Sequence, residues 1–150
     1  MSTAVKDISD SIKVRINDVL DDYSELAYKR SIEKNNFRTT SKRYGVLPLA
    51  GTQLDGVTKH ITFNMSFEIT LTDQYFETNI DDNKKDTAAL ELRQNWFKVY
   101  RDLVKSKAGL PSQVMQVSSA SISEPEFLDD QKVVALRGTC DITFRINLQE

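Results

Sequence analysis

A single cysteine, Cys140, leaves this chain without an internal disulfide or a cysteine-based zinc cluster. Cys140 falls on the apolar side of an alternating run, so it reads as a small core residue rather than a nucleophile. The single histidine, His60, has no second candidate base with which to complete a triad. It precedes an alternating run, where a solvated imidazole is expected. No glycine-rich dinucleotide or phosphate loop and no nucleophile elbow occurs. Asp81, Asp82, Asn83 and Asp86 outline a calcium loop only superficially. Lys85 occupies the fifth ligand position, no glycine stands at the sixth, and Leu92 replaces the twelfth-position glutamate. A solvated connector without metal is the expectation. No apolar run approaches the ~20 residues of a spanning helix, and the first seven residues carry no apolar leader core. Folding in a cytosolic compartment fits all of this.

Two alternating stretches dominate. Ile61, Phe63, Met65, Phe67, Ile69 and Leu71 are apolar at every second position, with Thr62, Asn64, Ser66, Glu68, Thr70 and Thr72 between them. The same period returns through Val134, Leu136, Cys140, Ile142, Phe144, Ile146 and Leu148. Side chains alternate faces along a strand, so each stretch predicts one buried and one wet face. Both exceed the usual ~5–6 residues of a strand, which suggests a sheet that protrudes or continues into a neighbouring subunit.

Helical periodicity marks two further segments. Val5, Ile8, Ile12, Ile16, Val19 and Leu20 predict a helix over about 4–20, with a break at Asp21 and Asp22 and a short strand over 26–32. Ala89, Leu92, Trp96, Val99, Tyr100 and Leu103 predict a second over about 87–106, with Trp96 in the core. Asp86 or Thr87 is its candidate N-cap, Gly109 its left-handed cap and Pro111 its stop. Residues 73–86 read as a polar connector, and 35–59 as an irregular, extended loop punctuated by Gly45, Pro48, Gly51 and Gly56. Phe37 to Leu47 is the strand candidate within that loop. A strand over 113–122, a turn at Glu124-Pro125-Glu126 and a closing strand over 132–148 complete one domain of 150 residues. The expected class is α+β: a mainly antiparallel sheet with two long strands and two principal helices packed on it.

The net charge of −2 is unevenly spread. Lys29, Arg30, Lys34, Arg38, Lys42, Arg43 and Lys59 form a basic stretch opposed only by Glu33 and Asp55. The N-terminal segment is acidic, and Glu124, Glu126, Asp129 and Asp130 form a second acidic stretch. One reading is solvated loops. The other is charge-complementary docking surfaces, with Lys34, Arg38, Lys42, Arg43, Glu124, Glu126, Asp129 and Asp130 as candidate contacts. Tyr28, Phe37 and Tyr44 interleave with the cations, so a single-strand nucleic-acid groove stays open as an alternative.

Several phrases resemble the tail terminator (tail completion, or minor tail) proteins of long-tailed bacteriophages. They are Leu103-Val104-Lys105-Ser106-Lys107-Ala108-Gly109-Leu110-Pro111-Ser112 and the strand over 114–117, then Ser121-Ile122-Ser123-Glu124-Pro125-Glu126-Phe127-Leu128. Val133-Val134-Ala135-Leu136-Arg137-Gly138 opens the last strand, and upstream Arg43-Tyr44-Gly45-Val46-Leu47-Pro48 precedes the alternating 61–71. The resemblance implies a non-enzymatic virion protein without cofactor. Such proteins form a ring, typically hexameric, on the head-proximal end of the tail tube, and they end tube polymerisation. The implied partners are other copies of the chain, the tail tube protein and the head-tail connector protein. Genomic DNA passes the channel without sequence-specific binding, and no membrane is involved. The implied location is the virion tail, with assembly in the host cytoplasm. Another neck or tube component is the nearest alternative.

Overall fold

The computed structural model describes residues 4–25, 42–56, 59–74, 82–105, 109–128 and 133–147. In chain order the elements are helix α1 (Ala4–Val19), strands β1 (Ser24–Glu25), β2 (Arg43–Gly56) and β3 (His60–Gln74), helix α2 (Asp82–Lys105), and strands β4 (Val114–Ile122), β5 (Glu126–Leu128) and β6 (Val133–Asn147). One six-stranded sheet runs in the order β1-β2-β3-β6-β4, and β5 continues the β4 side of β6. Only the β1–β2 pair is parallel. The fold is α+β.

The two alternating stretches become β3 and β6, and they pair without a register break from His60–Asn147 to Gln74–Val133. Phe67, Ile69 and Leu71 on β3 and Leu136, Cys140, Ile142 and Phe144 on β6 are fully buried on one face. Both helices lie there: α1 packs over β2, and α2 over β3, β6 and β4. Ile8, Ile12 and Ile16 from α1 and Leu92, Trp96 and Leu103 from α2 complete the core. Cross-strand polar pairs mark the opposite face, with Ser66 donating to Asp141 (2.6 Å) and Thr143 to Asn64 (3.3 Å).

Trp96 fixes the helical layer to this ladder. Its indole N–H donates to the Ile69 carbonyl at 3.0 Å, and its ring covers Gly138, the cross-strand partner of Ile69. A Cβ at Gly138 would run into the indole carbons of Trp96, so the indole needs glycine beneath it. Arg15 supplies a second clamp. Its guanidinium makes two bonds, of 2.8 and 2.7 Å, to the Asp102 carboxylate and so ties α1 to α2.

Several expectations change. The stretch read as an irregular loop contains β2, which runs through Pro48 and Gly51 with register shifts beside both. Proline is tolerated because β1 pairs only with Arg43 and Tyr44, leaving Pro48 on an outer edge among the described residues. Helix α2 starts at Asp82, so Asp86 and Thr87 are helix interior and not caps, and the polar connector is shorter. Gly109 is not left-handed; the Arg15 side chain approaches it too closely for a Cβ. Glu126 belongs to β5 rather than a turn, and His60 opens β3 rather than preceding it. The wet-face rule fails at one end of the sheet, where Thr70, Thr72, Val133 and Ala135 are also buried. Alternation reports polarity, and threonine, β-branched with a methyl group, suits a buried strand. The strand expected over 26–32 and the end of β6 at Leu148 lie outside the described residues.

Phe67→Ala or Phe144→Ala should lower stability by ~3–5 kcal/mol, the range for emptied aromatic core sites. Gly138→Ala should cost ~1–3 kcal/mol by overpacking against Trp96. Thr143→Ala, at a half-buried position, should cost far less. Urea denaturation of the four variants orders them, and a Gly138→Ala variant as stable as wild type would refute the Trp96 contact.

Candidate assembly surfaces

The expected contact residues separate to opposite edges of the sheet. Lys42 and Arg43 stand at the β1–β2 edge, while Glu124 and Glu126 stand at the β5 edge. Lys34, Arg38, Asp129 and Asp130 lie outside the described residues.

Lys42 is already engaged within the chain. Its ammonium meets Asp22 at 2.9 Å and Glu91 at 3.8 Å, and it lies over the Tyr23 ring, 5.9 Å from the centroid. The hydrogen bond to Asp22 is the main cause that raises the Lys42 pKa, and the same bond lowers that of Asp22. Arg43 donates to the Glu25 carbonyl at 3.3 Å, across the β1–β2 pair. Glu126 lies 3.7 Å from Arg137, and Glu124 is exposed. Of the four described candidates, Lys42, Arg43 and Glu126 thus hold partners within the chain.

Three shallow clefts lie elsewhere. Glu68, Ser121, Ser123, Arg137, Gly138 and Thr139 line one of about 330 Å³ on the sheet face away from the helices. The Nε of Arg137 is buried there without a partner, beside a β4 bulge in which Ser119 takes a left-handed φ of 56°. Ser112, Gln113, Met115, Arg145 and Asn147 line a second, of about 350 Å³. The third, of about 320 Å³, lies between α2 and β5 and is lined by Asp86, Ala89, Leu90, Arg93, Pro125 and Phe127. Among the described residues no three His, Cys, Asp or Glu side chains group as a metal site requires, and no helix is long and apolar enough to cross a membrane.

Exposed apolar side chains show surfaces that charge counting missed. Leu49 and Leu54 are exposed on the far half of β2. Leu90, Phe97 and Val104 form an outward stripe on α2, and Val14 stands outward on α1. The seven-residue spacing of the α2 stripe is visible in the sequence, but the stronger core stripe beside it draws the eye. The chain matches no known family model and no curated protein.

Burial gives Cys140 and Tyr23 a pH signature. Burial raises the Cys140 thiol to about 12 and, as the largest cause, the Tyr23 hydroxyl also to about 12. Both folded values exceed the ordinary values of 9.0 and 10.0, so their contribution is complete below about pH 9 and lost as pH rises towards 12. The urea midpoint should therefore fall between pH 9 and 12, less steeply in Tyr23→Phe. An equal slope in that variant would remove Tyr23 from the account.

Proposed function

We propose that the protein is a tail terminator: a non-enzymatic virion component that caps the head-proximal end of a phage tail tube as a ring and offers the joint to the head connector. The observation that carries this reading is the reach of the sheet. β2, β3 and β6 run 14, 15 and 15 residues, and the far half of β2 is exposed from Leu49 to Leu54. Along β2 beyond Tyr44, and along the side of β4 away from β6, no described strand pairs. Open edges on both sides of one sheet are templates for identical neighbours, and edge-to-edge repetition closes into rings when the rotation allows. The protruding β2–β3 hairpin gives such a ring an apolar projection with which to meet a tube or connector. The resemblance in the phrases around 103–112, 121–128 and 133–138 points the same way.

Electron microscopy and mass photometry of the purified chain test the proposal. Closed rings of one stoichiometry, which join tubes at one end and stop their growth, are expected. Stacked tubes would identify a tube subunit instead, and a chain monomeric both alone and on tails would remove the reading. Leu54→Asp should leave stability within ~0.5 kcal/mol, as surface changes do, and should impair tail completion. Normal completion by that variant would exclude the hairpin from the joint.

A further inference from the structure

We propose that the outer flank of α2 receives the outer face of α1 from a second copy of the chain, and that this contact joins neighbours in the ring. The inference rests on the terminator reading and names the surface through which the ring would close.

Helix α2 carries more apolar side chains than its core needs. Leu92, Trp96, Val99 and Leu103 satisfy the interior, yet Leu90, Phe97 and Val104 stand 57%, 54% and 42% exposed. At seven-residue spacing they share one line along the helix, because two turns return almost to the same side. That line lies away from α1. Glu91, Asn95 and Asp102 reach the other way, to Lys42, the Tyr23 hydroxyl and Arg15. Leu90 instead faces the cleft shared with Pro125 and Phe127 of the β5 edge.

Charge selects the occupant. The acids Glu91 and Asp102 are spent on the α1 side, whereas Arg93, Lys98, Arg101 and Lys105 hold no ion pair among the described residues. The outer flank of α2 is therefore apolar with a border in which these four cations outnumber the exposed Asp86. Its complement is present on the same chain. Val14 of α1 is 56% exposed, one helical turn from Asp10 and Asp18, with Asp7 and Asp21 beyond them. Among the described residues Asp10 and Asp18 pair with Lys6 and Arg15 on their own helix, in exposed contacts that exchange at little cost. An apolar residue among acids thus faces an apolar stripe among bases.

Placement makes the contact heterologous. Helix α1 covers β2 at one side of the sheet, and the α2 stripe faces β5 at the other. One copy cannot join its own two surfaces, but successive copies can, which is the geometry that closes rings.

Two triple variants test the match. Arg93→Glu with Lys98→Glu and Arg101→Glu makes both surfaces net acidic, and Asp10→Lys with Asp18→Lys and Asp21→Lys makes both net basic. Each alone should raise the concentration needed for rings by about tenfold or more, as like charges meet across the contact, while circular dichroism shows an intact fold. Mixed one to one, the two variants should recover rings, because every junction then pairs opposite charges. Failure of the mixture to recover overturns the pairing of these two faces. Wild-type rings indifferent to both variants overturn this inference and leave the terminator reading standing. A wild-type chain that never assembles removes both.

Discussion

The uninterrupted β3–β6 ladder is the constraint from which the rest of the molecule follows. Fifteen cross-strand pairs join segments that lie about half the chain apart. A slip of one residue would turn Phe67, Ile69 and Leu71 out of the core and bring Glu68 into it. Every other element is placed against that fixed frame. β2 adds along one side of it, β4 and β5 share the other, and the helices cover the one face that is apolar along its length.

Trp96 and Arg15 hold the helices to this frame in different ways. The indole needs a gap in the β6 face, which Gly138 provides, and a carbonyl, which Ile69 provides, so a burial and a hydrogen bond act at one place. The Arg15–Asp102 pair is half-buried and bidentate, and it sets the spacing of α1 from α2. Lys42 then draws the turn at Asp22 onto α2 through Glu91. Lys42 and Arg43, two of the cations that composition suggests as docking groups, hold partners within the folded chain.

That reassignment bears on function. Opposite charge in one chain suggested contact between copies, and the structure satisfies part of that charge internally. The apolar positions left exposed on α2, on α1 and at the β2 end are more specific. Phe97 touches the Trp96 ring edge-on, yet more than half of its surface stays exposed. These exposed apolar positions are distributed on both helices and on the far half of β2.

By itself the sequence determined the two long strands, both helices and which of their stripes is buried, because these are periodic and periodicity is local. Phe67, Phe144, Trp96 and Cys140 were legible as core for that reason. The continuation of β2 through Pro48 and Gly51 was not, since those residues break isolated strands and are tolerated only on an outer edge. Nor was the early start of α2 at Asp82, in a stretch whose polarity resembles a connector. The burial of Thr70 and Thr72 was equally hidden, because polarity along a strand does not state what lies over it. Only the tertiary structure decided that Lys42 answers Asp22 rather than a neighbour, and that Leu90, Phe97 and Val104 face outward. A residue's partners are set by which elements come together, and that information lies in no single stretch of the chain.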